Sequence, residues 1–307
     1  MTITFYCPKC GGICAFADRH VGKRARCLRC NERFVIPVAS EEAKKVEGPG
    51  DEPLPGFYRE AFARSWNIFI NPASITPLVF VLAMVCFKFF LGHVDYSFNV
   101  GSGGRAIRVQ LPIGQIIFAT AWGCLFWVYM ETISWATYGL RQLPEINMGA
   151  GLTFIANVIK SIYFFLIAWL LAILPFAVIA AILKTTPFAW PWLLHIIMLG
   201  GVFLFPMIIL IISTSEKIWL VFRFDYLVHP IMKAPRPYTA MVALLLVGAQ
   251  LQWYNIGCYG AIKNPTLLFV TFRLAVDIAS TALMIIAMHS IGLFYKHYTC
   301  YLPWEQS

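Results

Sequence analysis

The stretch that decides the fold is 161-SIYFFLIAWLLAILPFAVIAAIL-183, in which no residue carries a charge. An α-helix needs about 20 mostly apolar residues to cross the hydrocarbon core of a bilayer, and this stretch is long enough. Over the whole chain 59% of the residues are apolar and only 13% are charged, and the mean hydropathy is +0.70. In soluble domains about 45–50% of the residues are apolar and about 25% are charged, so this composition excludes a soluble globular protein. It also excludes a disordered chain, which would be poor in aromatic residues.

Other long runs with few or no charges extend the same pattern along the chain. They predict an all-α polytopic membrane protein with about six transmembrane helices and a small N-terminal β head. The predicted spans lie near residues 74–92, 113–134, 161–183, 192–213, 238–259 and 267–293.

Basic residues predict the orientation of these spans, because Lys and Arg are enriched in cytoplasmic loops. With the N-terminal head inside, eighteen basic residues lie on the inner side and four on the outer side. Residues 1–9 lack the apolar core of a secretory signal peptide, so we expect the head to stay on the side of synthesis. Both termini are therefore predicted to be cytoplasmic.

Charge also divides the chain into a polar head and an apolar body. Residues 1–64 carry 19 of the 39 charges. Residues 39–56 mix charged residues with Gly and Pro without apolar periodicity, which predicts a flexible linker. The predicted parts are thus a head over 1–38, this linker, and a membrane domain over 57–307.

Three segments beside the predicted spans have the character of interfacial helices. Residues 57–71 space apolar side chains at helical intervals around charged ones, which predicts an amphipathic helix on the inner surface. The sequence Ser213-Thr214-Ser215-Glu216 has the form of a capping box that opens a similar segment ending at His229-Pro230. A third such segment is predicted over 146–160.

The loop between the first two spans has the pattern of a β-hairpin. Apolar residues alternate on both sides of Gly101-Ser102-Gly103-Gly104, which predicts a hairpin within 93–111 with a glycine turn. A phosphate-binding loop is the alternative, but it requires a following Lys-Ser or Lys-Thr and a helix, whereas Arg105-Ala106 follows here.

Two Cys-x-x-Cys pairs form the most specific motif, Cys7 with Cys10 and Cys27 with Cys30. Their separation fits the pattern of zinc sites in which two thiolate pairs close a tetrahedron around one ion. Residues Thr4–Tyr6 and Arg33–Ile36 are predicted to form short flanking strands. A head of this size cannot bury an adequate core, so we expect structural zinc to supply most of its folding free energy.

Residues 3–38 resemble a bacterial zinc ribbon, with an aromatic-Cys-Pro-x-Cys-Gly opening, a basic middle around Lys23, and a closing Phe34-Val35-Ile36-Pro37 strand. The resemblance implies four zinc ligands, so Cys14 is expected to be a small buried residue. The body is loosely similar to six-span bacterial membrane families, including the Yip1-like type, at 57–71, at His229-Pro230 and at Pro235-Arg236-Pro237-Tyr238. Together these resemblances imply a location in the bacterial inner membrane.

Other interpretations of the head remain open. Iron could occupy the same four cysteines, as in rubredoxin-like sites, and would imply electron transfer. Basic residues around the second cysteine pair could face nucleic acid or an anionic lipid surface. Acidic neighbours such as Asp18 and Glu32 reduce the net positive charge of residues 1–64 to a small value. Nucleic-acid binding by the head is therefore the weaker expectation.

Ionisable residues inside the predicted spans are candidate functional groups, because charge is costly there. Arg273 and Asp277 are four residues apart, which predicts a pair on one helix face. Glu131 has no local partner and is expected to meet Arg273 or Lys160. The lone histidines His195 and His289 could serve as haem ligands or proton carriers, with packing as the commoner role. Interhelical hydrogen bonds are predicted for Gln250, Gln252 and Asn255.

No hydrolase, metalloprotease or nucleotide-binding motif is visible in the sequence. The leading hypothesis is a non-enzymatic scaffold or assembly subunit of a membrane complex, whose head contacts a cytoplasmic protein. The first alternative is a transporter or channel subunit with a polar path through Arg273, Asp277 and Glu131, for a substrate that the sequence does not identify. The second alternative is a membrane-tethered nucleic-acid binder.

Overall fold

The fold is described from a computed structural model. It describes residues 2–6, 13–17, 24–26, 33–35, 53–92, 96–100, 107–145, 151–185, 191–215, 218–257 and 266–302. The chain divides into two compact units, residues 1–53 and residues 54–307.

The N-terminal unit contains two antiparallel β-hairpins. Strands β1 (Thr2–Tyr6) and β2 (Ile13–Ala17) form the first, with Phe5 opposite Cys14. Strands β3 (Arg24–Arg26) and β4 (Arg33–Val35) form the second. The predicted strands are confirmed at Thr4–Tyr6 and Arg33–Val35, and Cys14 is buried as expected. Ile36 lies outside the described residues.

The second unit is built mainly of helices. They are α1 (Asn67–Ile70), α2 (Ile75–Leu91), α3 (Ile113–Thr137), α4 (Gly151–Lys184), α5 (Pro191–Ser215), α6 (Phe224–Lys233), α7 (Pro235–Gly257) and α8 (Leu267–His297). Short 3-10 helices occur at Pro72–Ser74, Ile218–Phe222 and Thr299–Tyr301.

Four of the described helices are long and apolar enough to cross a membrane: Pro72–Leu91, Ile113–Thr137, Gly151–Lys184 and Leu267–His297. These helices confirm the predicted class of an all-α membrane protein. The predicted fourth and fifth spans overlap α5 and α7, of 25 and 23 residues, which are not among these four. Within α5, Leu199–Ser215 is an apolar helical stretch that is shorter than these four spans.

The segment before α2 is amphipathic but is not one regular α-helix. A π-helix covers Arg59–Arg64, a turn follows at Ser65, and α1 comes next. The Ser65 hydroxyl donates to the Glu60 carbonyl oxygen at 2.8 Å, which stabilises the wide turn. The buried side chains are Phe57, Ala61, Ser65 and Ile68, and the exposed apolar ones are Tyr58, Phe62, Trp66 and Ile70.

Two predicted boundaries are wrong. Residues 151–160 belong to α4 and continue into the span without a break, because no Pro or further Gly follows Gly151 in this stretch and Lys160 Nζ lies over the Phe164 ring at 5.5 Å. The hydroxyls of Ser213, Thr214 and Ser215 donate to carbonyl oxygens of α5 and do not open the next helix. That next helix, α6, runs through Pro230 to Lys233.

The predicted hairpin between the first two spans is confirmed for its strands. Strand β5 (Tyr96–Val100) pairs antiparallel with β6 (Ile107–Leu111), and Val100 lies opposite Ile107. The proposed glycine turn falls between these strands and lies outside the described residues.

Helix α8 lies at the centre of the bundle and packs against α2, α3 and α7. Its second half is buried almost continuously, from Met284 to Tyr295. The closest approach to α3 is at Gly292, where a Cβ atom would collide with the Ile133 carbonyl oxygen and the Ala136 side chain. Glycine at this position lets the two backbones meet, as small residues do in membrane helix pairs.

Replacing Gly292 with Leu is expected to destabilise the bundle by about 1–3 kcal/mol, because the backbone of α3 cannot yield to the new side chain. The thermal unfolding midpoint of the detergent-solubilised protein measures this. Gly151→Leu is the matched control, since a Cβ at Gly151 meets nothing within 4 Å. Equal midpoints for the two variants would contradict the close α3–α8 contact.

Candidate functional site

The most deeply buried ion pair of the described residues joins α2 to α8. Lys88 Nζ donates to Asp277 Oδ1 at 2.9 Å, and the two side chains are only 4% and 3% exposed. The same ammonium group lies 4.7 Å from the centre of the Trp122 ring on α3. Three helices therefore meet around one buried positive charge.

The predicted pairing of Arg273 with Asp277 is wrong. Although both residues lie on α8, the Arg273 guanidinium donates to Asn255 Oδ1 on α7 at 2.9 Å. It also lies near the Tyr254 and Phe269 rings, 5.6 Å and 5.2 Å from their centres. Spacing along one helix allows a pair but does not require it, because both side chains can reach other helices.

Two polar atoms at this site have no hydrogen-bond partner among the described residues. They are Asp277 Oδ2 and Asn255 Nδ2, both of which are buried. An unsatisfied polar atom is costly away from water. The Lys88–Asp277 pair neutralises charge in the bundle but leaves hydrogen-bonding capacity unused.

Glu131 lies in a different place from Arg273 and Asp277. It lines a polar cavity of about 140 Å³ together with Lys160, Asn157 and Ser213, where α3, α4 and α5 meet. Of the two partners expected for Glu131, the structure places Lys160 in the same cavity. The three intramembrane candidates thus face three different sets of neighbours.

Other polar residues of the spans bond between helices. Gln252 Nε2 donates to the Tyr129 hydroxyl at 3.3 Å, joining α7 to α3. With the Asn255–Arg273 bond, this confirms the interhelical role predicted for Gln252 and Asn255. His289 is buried, with Nδ1 3.1 Å from the Ser65 hydroxyl. The His195 side chain lies outside the described residues.

A charge cluster that the sequence did not reveal is centred on Glu60. Its Oε1 accepts from Arg141 Nη2 at 2.7 Å, and its Oε2 lies 3.4 Å from Lys296 Nζ and 3.2 Å from His297 Nε2. The segment before α2 is thereby fixed to the end of α8 and to the chain after α3. Gly139, with φ of 72°, leaves room for Lys296, which a Cβ would contact at 3.0 Å.

Both ring nitrogens of His297 face acceptors. Nε2 lies against the Glu60 carboxylate, and Nδ1 lies 2.9 Å from the Leu54 carbonyl oxygen. Both contacts are hydrogen bonds when the ring carries two protons. The Leu54 backbone amide also donates to the His297 carbonyl oxygen at 2.9 Å. Residue 54 is therefore attached to the membrane unit, although it falls within the predicted linker.

The environment of Glu60 changes its proton affinity. Burial raises the pKa of Glu60, but the hydrogen bond with His297 and the positive charges of Lys296 and Arg141 outweigh burial and lower it to about 2. The carboxylate is ionised in the folded protein at neutral pH. Opposite charges at hydrogen-bonding distance cause this shift.

The predicted zinc ligands Cys7, Cys10, Cys27 and Cys30 lie outside the described residues. In chain order the first pair falls between β1 and β2 and the second between β3 and β4. Four thiolates carried on two hairpin connections are a donor set that suits tetrahedral zinc. Within the described part of the chain, no group of three or more His, Cys, Asp or Glu residues could hold a metal ion.

Breaking the buried pair is expected to cost about 3–5 kcal/mol, because each single variant leaves one uncompensated charge. Lys88→Met and Asp277→Leu should each lower the unfolding midpoint strongly, and the double variant should recover most of the loss. Lys184→Met, at the exposed end of α4, is the control and should have little effect. Additive losses in the double variant would contradict the pairing.

Protonation of Glu60 is expected to loosen the segment over Arg59–Arg64. Its folded-state pKa is about 2 against 4.5 for the free group, so its contribution is complete above pH 4.5 and is lost as the pH falls towards 2. Hydrogen exchange of this segment, corrected for intrinsic rates, measures the effect. Glu60→Gln should lower protection at pH 6, with a smaller difference at pH 3. The control is Glu145→Gln, which changes an exposed residue and should behave as wild type. Equal protection in Glu60→Gln and wild type at pH 6 would contradict the Glu60 cluster.

Comparison of the chain with family models, with curated proteins and with solved structures gave no match. The resemblance of residues 3–38 to bacterial zinc ribbons and that of the body to Yip1-like families therefore stay predictions.

Proposed function

We propose that this protein is a non-enzymatic scaffold or assembly subunit of a membrane complex. The observation that carries the proposal is the use of the buried polar groups in the bundle. Lys88 with Asp277, Arg273 with Asn255, and Gln252 with Tyr129 each join two helices. Groups used in this way hold a helix bundle in one arrangement, which suits a fixed platform.

The membrane placement is part of the same proposal. The chain crosses the bacterial inner membrane six times, through α2, α3, α4, α5, α7 and α8, with both termini in the cytoplasm. The 18-to-4 division of basic residues supports this orientation. It places the Glu60 cluster at the cytoplasmic surface, where Tyr58, Phe62 and Trp66 meet the lipid headgroups.

The N-terminal unit is the proposed recruiting module. Structural zinc held by Cys7, Cys10, Cys27 and Cys30 joins the two hairpins and supplies folding free energy that so small a unit lacks. Its role is to present a folded surface to a cytoplasmic protein partner.

One observation favours transport as a second candidate function. Asp277 Oδ2 is buried in the bundle without a hydrogen-bond partner among the described residues. Intramembrane carboxylates with spare acceptor capacity occur in proton and ion pathways. The path predicted through Arg273, Asp277 and Glu131 is less well supported, because these residues face different neighbours.

Disrupting the proposed zinc site tests the scaffold function. The full-length protein purified from native membranes is expected to contain one zinc per chain and to retain its protein partners. Cys7→Ser should lose both the metal and the partners, while the membrane domain keeps its unfolding midpoint. Cys14→Ala is the matched control, since Cys14 is buried on β2 and is not a proposed ligand.

Three outcomes would contradict the proposal. Iron in place of zinc would indicate electron transfer, and an unchanged set of partners in Cys7→Ser would remove the recruiting role. An isolated protein that carries out substrate-dependent flux, and loses it in Asp277→Asn, would establish transport instead.

A further inference from the structure

A cleft of about 400 Å³ lies among α3, α4, α5, α7 and α8. Its volume is in the range of small-molecule sites, about 300–1,000 Å³. Seven of its fifteen lining residues are aromatic and come from four of these helices: Trp122, Phe126, Tyr129, Phe165, Trp169, Phe205 and Trp253.

The cleft runs along the bundle from near one end towards its middle. Helices α7 and α8 are antiparallel, with Asn255 bonded to Arg273 and Gly248 facing Met284. On α7 the lining runs from Trp253, four residues from the end of the helix, to Leu245, eight residues further in. At a rise of about 1.5 Å per residue the lining covers a depth of about 12 Å along α7.

The character of the lining changes along this depth. Near the end of the bundle it includes the amides of Gln250 and Gln252 beside the Trp253 indole. Deeper down it is formed mainly by apolar side chains such as Phe165, Phe205 and Met284, and the Tyr129 hydroxyl there already accepts from Gln252. A phospholipid has the same order, with polar ester groups near the interface and hydrocarbon below them.

The cleft opens sideways between α4 and α7. At the opening Trp169 and Trp253 are 48% and 74% exposed. The neighbouring outer faces carry exposed apolar side chains, including Leu170 on α4 and Val247 on α7. Because such surfaces face hydrocarbon in a membrane protein, the molecules at the opening are lipid chains.

We propose that this cleft is a binding site for one acyl chain of a membrane phospholipid. The glycerol ester region lies beside Gln250 and Trp253, where amide and indole N–H groups can donate to ester oxygens. The chain extends along the aromatic wall towards Met284. Water is a poor occupant of the deep part, because it would find too few polar partners there. A hydrocarbon chain restores van der Waals contacts that an empty cleft would forfeit.

Filling the cleft tests the site. Ala249 lines it and is exposed towards its opening, so Ala249→Phe places a ring where the chain would lie. The control is Ala243→Phe, since Ala243 is exposed on the same helix and is not part of the lining. The full chain is purified in mild detergent, and bound phospholipid is measured by native mass spectrometry. Wild type and Ala243→Phe are expected to retain one phospholipid per chain, and Ala249→Phe to lose it.

A second measurement keeps the test decisive if Ala249→Phe folds poorly. Phospholipid brominated along its acyl chain is added to delipidated wild type, and tryptophan fluorescence is recorded. Quenching that saturates at one lipid per chain, and that decreases in Trp169→Phe, supports the site. The proposal is overturned by retention of lipid in a folded Ala249→Phe, by binding of a neutral lipid instead of phospholipid, or by quenching that does not saturate.

Discussion

The ion pair between Lys88 and Asp277 is the interaction on which the rest of the bundle depends. A lone charge at this depth would have to be neutralised by losing or gaining a proton, so each residue requires the other. The pair determines how α2 lies against α8, and Lys88 brings the Trp122 ring of α3 to the same point. Since α3 and α7 also pack on α8, the position of Asp277 constrains most of the membrane unit.

A second set of charges, centred on Glu60, holds elements together at the end of the bundle, as the Lys88–Asp277 pair holds helices together in its interior. Glu60 accepts bonds from residues after α3 and at the end of α8, so the amphipathic segment is fixed to the helices it precedes. The surrounding contacts are aromatic, with Phe57 packed edge-on against Phe294 and His297. The segment therefore has one face committed to the protein and an opposite face, with Tyr58 and Trp66, available to lipid.

The elements that the sequence predicted well are those defined by local pattern. The uncharged run at 161–183 identified a helix because membrane spans require continuous apolarity, and the alternation around 93–111 identified β5 and β6. Thr4–Tyr6 was recognisable as a strand for the same reason. The side-chain partners were much less predictable. Lys88 and Asp277 are separated by 189 residues, and nothing local distinguishes that pairing from one between Arg273 and Asp277.

The other differences also arise from tertiary context. No sequence pattern pointed to a contact between Glu60 and His297, because neither residue belongs to a motif and their contact requires the whole bundle. A run of hydroxyl residues such as Ser213-Thr214-Ser215 can stand at the start or at the end of a helix. The hydroxyls can bond to the backbone on either side. A charged residue beside an apolar stretch does not by itself mark where a helix ends. Arg64 ends a short π-helix, whereas Lys160 lies within the unbroken helix α4.

The unequal lengths of α2 and α4 have a consequence for the membrane itself. At about 1.5 Å per residue, the 20-residue span Pro72–Leu91 that contains α2 extends about 30 Å, and the 34 residues of α4 extend about 51 Å. A hydrocarbon core about 30 Å thick matches the first length but not the second. The bilayer is expected to keep its thickness beside α2, whereas α4 is expected to tilt or to project its first turns beyond the lipid. Such unequal edges would favour neighbours whose own hydrophobic lengths complement those of α4.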